Sequence, residues 1–212
     1  MTTWELQAKI HNEIKSNVSP GMKETDIADV ITSVCPHWRG DLISGARSAC
    51  VEGGPTDRTI ATGDVILFDI QVYSERMWSD ITRVYFVGEP NDKQVQAYKK
   101  IADAIKAGER LLRPGTKGKE LYDSMRSVIG TDYAFAHHAG HLLSPENAYI
   151  KPAFEKNTED ELVSGVVAAI EPGIYYPGEF GIRLENNYRI TEKGFERLDN
   201  LSLEISDYIL KG

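Results

Sequence analysis

Cysteine is almost missing from this chain, with Cys35 and Cys50 the whole supply. Two such residues build no disulfide framework, and they lack the paired spacing of a thiolate zinc site. Both are expected to be small buried apolar residues. Long apolar runs are missing too. No stretch approaches the ~20 residues that cross a bilayer, and the N-terminal MTTWELQAKIHNEIK is charged throughout, without the apolar segment of an export signal. Nor is there a surplus of positive charge. The 24 basic residues against 32 acidic ones leave −8, which argues against nucleic acid or an anionic membrane as partner. Low-complexity tracts are absent. What is left is the composition of an ordinary globular, enzyme-sized protein, expected in the cytoplasm. Its 212 residues suit one domain with a substantial core.

What is present is a chain written twice. SPGMKETDIADVITSV, from Ser19, resembles RPGTKGKELYDSMRSV, from Arg113; residues 20–34 match at six of fifteen positions, against about one expected from average composition. Ile27, Val30, Ile31 and Val34 follow helical spacing, and Leu121, Met125 and Val128 repeat most of it. Each segment follows another amphipathic helix, WELQAKIHNEIKSNV and YKKIADAIKAGERLL, and each begins at a Pro-Gly turn. Strands come next: GDVILFDIQVY and WSDITRVYFVG, then SGVVAAIEPGIYY and GIRLENNYRIT. The pattern predicts an α+β fold in which two helices and a β-hairpin occur twice, as one catalytic-type domain over 1–212 with halves of about 1–92 and 93–212.

Four carboxylates sit where strands should be dry. A first hairpin turning at Ser74-Glu75 sets Asp69 opposite Asp80. Like charges ~5 Å apart on facing strands repel, and Asp69 interrupts the apolar run ILFDI, where burial without a partner costs several kcal/mol. Glu171 interrupts VVAAIEPGIY in the same way, and Glu185 follows 14 positions later across a Tyr-Pro-Gly turn. Each half is therefore expected to supply one carboxylate pair at equivalent positions. Such pairs need a cation or a shared proton, and the cation is either an arginine or a metal. Strand alternation turns Arg83 away from Asp80, places Arg183 on the face of Glu185, and leaves Thr82 able to hold a carboxylate. Four carboxylates with one imidazole suit two divalent ions ~3.5–4 Å apart, and so oxygen-rich a set favours Mn²⁺ or Fe²⁺.

FDIQVYSERMWSDITR, HHAGH, IEPGIY and GIRLEN occur in an order that resembles the metallopeptidase family M24 of methionine aminopeptidase, aminopeptidase P, prolidase and creatinase. The likeness covers nearly the whole chain, and with Arg183 two positions before Glu185 it is similar to the Xaa-Pro peptidase branch. The resemblance implies a pita-bread fold and a catalytic domain alone, without the N-terminal domain of prolidase. It implies two divalent ions, Mn²⁺ first and Co²⁺, Fe²⁺ or Zn²⁺ as alternatives, on Asp69, Asp80, His141, Glu171 and Glu185. Glu171 would also manage protons, His137 would serve the reaction, and His138, where the family has glycine, is expected to point away. The chain departs from the pattern twice. Glu52 stands where the family has a histidine before its first hairpin, and Ala148 where it has a second one after the ligand. The implied activity is hydrolysis of an Xaa-Pro-type peptide by a homodimer. Creatinase-like or lyase chemistry on a small C–N substrate is the alternative, and a non-catalytic binding module the third reading.

Overall fold

The computed structural model, which describes residues 1–130 and 137–211, opens in the same way twice. Helix α1 (Thr3–Asn17) starts at Thr2, whose hydroxyl accepts from the Glu5 amide while the Glu5 carboxylate accepts from the Thr2 amide. Helix α2 (Glu24–Val34) has a lysine at its cap, so the orphan amide of Lys23 donates instead to Asp26, at 2.8 Å. After α3 (Asp92–Glu109), helix α4 (Gly118–Ile129) repeats that device between Lys117 and Glu120, also at 2.8 Å. Gly21 and Gly115, with φ of 92° and 86°, turn the chain into α2 and α4. Their left-handed backbone is open to glycine at little cost. The repeat is one of backbone geometry as well as of letters.

Strands β1 (Arg39–Ser44), β2 (Val65–Ser74) and β3 (Met77–Val87) form an antiparallel sheet. Strands β4 (Gly140–Leu143) and β5 (Val167–Ile170), a ribbon of β6 (Gly173–Tyr176) and β7 (Phe180–Arg183), then β8 (Asn186–Thr191) follow in the second half. There β4-β5-β8 repeat the order β1-β2-β3, with β9 (Gly194–Arg197) added outside β8. Strand β10 (Ile209–Leu210) returns to lie parallel to β3. Gly40 in β1 and Gly140 in β4 match: a side chain at either would run into the carbonyl of Asp69 or Ala169 on the neighbouring strand. Glycine there lets the backbones close up.

β2 and β3 are rich in β-branched and aromatic residues, and almost all of β3 is buried. Their outer face is covered by α1, which contributes Ile10 and Ile14 to the core. Three polar residues of α1 pin it there. The Thr3 hydroxyl donates to the Val72 carbonyl, Gln7 Nε2 to the Ile70 carbonyl, and the His11 ring bonds the Tyr85 hydroxyl. No helix among the described residues is long and apolar enough to cross a membrane.

The first hairpin differs from expectation. Ser74 pairs with Met77, so the turn is Glu75-Arg76, with φ of 48° and 63°. Two positive φ values match the strand twist, although neither residue is glycine. The register moves by two: Asp69 faces Thr82, and Asp80 faces Gln71. A slip of two keeps every side chain on its face, so the two aspartates still point the same way. In the second half the expected strands are broken at Glu171-Pro172 and at Leu184-Glu185. Cys35 is buried, but Cys50 is exposed, because the 3-10 turn that it ends lies at the surface.

Candidate metal centre

The two sheets meet where β3 runs beside β8. The Asp80 amide donates to Asn187 Oδ1 at 3.1 Å, and Asn187 Nδ2 donates to the Asp80 carbonyl at 2.6 Å. The asparagine side chain thus does the work of a peptide group across the seam. The Glu185 amide donates to the Thr82 carbonyl at 3.1 Å. Arg83 is fully buried just beyond; it donates to the Thr82 and Glu185 carbonyls and to Asn186 Oδ1 at 2.8, 2.6 and 2.7 Å. As expected, it faces away from the Asp80 carboxylate.

Onto this seam four carboxylates converge. His141 Nε2 lies 3.6 Å from Asp80 Oδ2, 3.4 Å from Glu171 Oε1 and 3.6 Å from Glu185 Oε1. Asp69, Glu171 and Glu185 place oxygens within 4.8 Å of one another, and so do the ligand atoms of Asp80, His141 and Glu185. The pairs do not occupy equivalent positions. Continuing the β5–β8 register sets Glu171 opposite Glu185, as Gln71 is opposite Asp80, so Gln71 is the counterpart of Glu171. Asp69 stands two residues earlier on the same face. Thr82 donates to Glu185 Oε2 at 2.9 Å.

Arg183 departs from expectation. It donates to Asp69 Oδ2 at 2.6 Å and to the Tyr175 hydroxyl at 2.9 Å, and it makes no hydrogen bond to Glu185. The chain leaves the strand between the two residues, and alternation stops counting there. His138 also differs. Its Nδ1 lies 3.2 Å from Glu171 Oε1, facing the cluster, because residue 138 precedes β4 and obeys no strand alternation. His137 donates from Nδ1 to its neighbour's carbonyl at 2.6 Å, while its Nε2 is 2.8 Å from the Tyr175 hydroxyl. Tyr175 already accepts from Arg183, so its own proton goes to His137 Nε2. Burial, above all, pushes the His137 ring down to about 4, which keeps it neutral.

The cluster forms the floor of a cavity of about 270 Å³ with Glu52 exposed at its rim. Ala148 is buried, and Tyr149 lines the cavity beside it, its ring 4.8 Å from that of His141 and 5.3 Å from that of His138. Asp41 was not anticipated. It faces Asp69 across the β1–β2 ladder and lies 3.5 Å from Arg183. In the sequence it heads the short run Leu42-Ile43 and interrupts nothing, unlike Asp69. Val51, also in the wall, has φ 72° and ψ −51°, and the Glu52 amide donates to the Cys50 carbonyl at 2.8 Å around it. That is a γ-turn of the rare, strained hand, in a β-branched residue. Its carbonyl accepts from Arg183 Nη1 at 3.0 Å.

The electrostatics ask for a cation. Burial, then the neighbouring Glu185 and Asp69, push the Asp80 carboxyl well up; burial and Glu171 raise Glu185 to about 7. Burial also works against charge on His141, but Glu185 and Glu171 outweigh it and lift the ring to about 9. For Glu171 the burial cost is outweighed by His138, His141 and His137, which bring it to about 2. Asp69 Oδ1, Asp80 Oδ1 and Glu185 Oε1 are buried without a hydrogen-bond partner, a costly arrangement for carboxylate oxygens. His141 donates Nδ1–H to the Leu142 carbonyl at 3.0 Å, which leaves Nε2 as the lone-pair nitrogen of the neutral ring. Bonds of ~2.1 Å set ligand atoms of one ion roughly 3.0–3.5 Å apart, near the separations found here. The residues therefore fit divalent metal.

Comparison with known proteins agrees. The chain belongs to metallopeptidase family M24, whose pattern fits residues 3–192. The Xaa-Pro dipeptidase of Pyrococcus furiosus is 36% identical over 198 residues, 89% of this chain and 57% of that one. The probable dipeptidase PepE of Mycobacterium tuberculosis is 30% identical over 210 residues, 93% of this chain and 55% of that one. Among solved structures, an Xaa-Pro dipeptidase from Bacillus anthracis superposes with a TM-score of 0.92 at 28% identity, covering 98% of this chain and 61% of that one. The fold is the pita-bread fold. The chain spans a little over half the length of the curated relatives it matches.

Proposed function

We propose that this chain is the catalytic unit of a divalent-metal-dependent hydrolase that cleaves the amide bond of a small peptide, with an Xaa-Pro bond as the first choice of substrate. The observation that carries the reading is the convergence of Asp69, Asp80, Glu171, Glu185 and His141 with three buried carboxylate oxygens left unpartnered. These five residues hold two ions, Mn²⁺ by the oxygen-rich set and Co²⁺, Fe²⁺ or Zn²⁺ otherwise. When bound, such a pair stabilises charge on a carbonyl oxygen and makes a nucleophile available at neutral pH.

The protein's own part is proton management and positioning. Glu171, whose carboxylate faces the cluster beside His141, accepts the proton that the nucleophile gives up and returns it to the leaving amine. Arg183 holds Asp69, Tyr175 and the carbonyl of Val51, and through Tyr175 fixes the neutral His137 ring. With both ring nitrogens engaged, His137 keeps the wall in place. Glu52, at the rim where the family has a histidine, takes a substrate ammonium group or carries a proton. Glu52→Ala is expected to lower turnover with bound metal unchanged; equal turnover removes that role.

The decisive experiment is digestion of a peptide set with added Mn²⁺, read by mass spectrometry. The set holds Xaa-Pro dipeptides, longer peptides with proline second, and peptides that start with methionine. Cleavage at Xaa-Pro, abolished in Asp80→Ala, supports the reading. A protein that binds two metals and cleaves none of them acts on a small C–N substrate instead, and the buried Ala148 with Tyr149 at the wall is the change that redirected it. A protein that takes up no divalent ion is a binding module.

A further inference from the structure

The geometry points to His138 as a sixth protein ligand of the metal centre, one that gives this chain a nitrogen where its family resemblance offers only glycine. The inference rests on the metal-dependent reading above. Two imidazoles flank one oxygen: Glu171 Oε1 is 3.2 Å from His138 Nδ1 and 3.4 Å from His141 Nε2. The rings stand at 90° to each other with centroids 5.6 Å apart. His138 Nδ1 is buried and makes no hydrogen bond. A nitrogen without a hydrogen bond and a carboxylate oxygen at that distance can both turn to one cation, and the contact then becomes one edge of a coordination shell.

Neighbouring groups narrow the choice. His137 completes the trio with His138 and Glu171, but both its nitrogens are bonded, to a carbonyl and to Tyr175. His138 is the imidazole of that trio with a nitrogen left over. Tyr149 packs its ring against those of both His138 and His141, so one side chain orients the two nitrogens together. Asp80 Oδ1 and Glu185 Oε1, on side chains 5% and 1% exposed, are unpartnered beside them. An ion held by His138, His141 and Glu171 would meet two nitrogens, which would shift preference from Mn²⁺ towards Co²⁺ and Zn²⁺.

The test is metal titration of the whole chain and of His138→Gly, followed by calorimetry and by the visible spectrum of bound Co²⁺. The expected result is two ions in the parent protein. In the variant, Co²⁺ and Zn²⁺ affinity at one of the two sites should fall by roughly 10–100-fold, Mn²⁺ affinity should fall less, and the Co²⁺ bands should change. Should the variant fold poorly, the parent protein loaded with Co²⁺ and ¹⁵N-labelled at histidine answers alone. Two histidines with strongly shifted ring signals support the ligand; one overturns it. Affinities within twofold of the parent and an unchanged spectrum also overturn it, while the metal centre stands. A parent protein that binds no divalent ion at all removes the centre itself, and His138 with it.

Discussion

Hairpin β2–β3 runs without interruption through its pairs from Val65–Phe86 to Ser74–Met77, whereas its counterpart in the second half gives up the ladder at Glu171-Pro172 and again at Leu184-Glu185. In the regular hairpin, alternation alone aims Asp69 and Asp80. In the broken one the carboxylates sit at the breaks, where Pro172 has no amide to give a ladder. Their backbone groups are satisfied sideways: the Glu171 amide by the Ala139 carbonyl at 2.9 Å, the Glu185 amide by Thr82. One hairpin keeps its ladder along its whole length, and the other is tied across its breaks by its neighbours. The difference teaches that the seam supplies the backbone bonds at the breaks of the second pair, whereas at Asp80 it only adds to a ladder already complete.

The comparison breaks most sharply at Arg83, which belongs to the regular hairpin and clamps the irregular one. Arg83→Met leaves the buried Glu185 carbonyl without its donor and takes one donor each from the Thr82 carbonyl, Asn186 Oδ1 and Asp199. It is expected to cost about 3–5 kcal/mol, as for one partner removed from a buried charged network. Urea denaturation measures it, and a loss under about 1 kcal/mol means that the broken hairpin holds its own shape.

A second test touches only the regular hairpin. His11 is fully buried against Tyr85, and its ring is held well below the usual histidine value by burial, then by Arg83 and Lys15. The unfolded chain therefore takes up this proton first. The contribution of His11 is complete above about pH 6.5 and is lost as pH drops below it, by up to about 1.4 kcal/mol per unit. In His11→Gln that slope is expected to shrink by one proton's worth; an unaltered slope between pH 6.5 and 5 refutes the assignment.

The smallest effect is at the turn. Glu75 and Arg76 both carry positive φ, and Asn-Gly suits that geometry better. The double replacement should stabilise by about 1 kcal/mol, seen as a rise in Tm. A fall would mean that the ion pair of Glu75 with the amino terminus matters more than the backbone.

Much of this was legible in the sequence, for reasons that particular residues show. The duplicated helices could be read because Pro-Gly and the apolar spacing recur together, and the carboxylates because each interrupts a dry strand. The hairpin register was not, since Glu75-Arg76 lacks the glycine or asparagine that marks such a turn. The face of each aspartate survived the error, because a shift of two keeps parity. His138 and Arg183 were misplaced by one rule carried past its range: alternation holds inside a ladder, and both residues are aimed by chain that lies outside one or beside a break. Asp41 and Tyr149 reach the cavity from a strand and a loop that carry no motif.

The γ-turn at Val51 links positions far apart in the chain. Its strained carbonyl and the Arg183 guanidinium are 132 residues apart in sequence, and each gives the other its reason to be there. A lineage that loses the arginine has nothing left to hold a β-branched residue in that backbone, and position 51 is then free to drift to glycine. The two sites are expected to vary together through descent, a historical trace of one hydrogen bond.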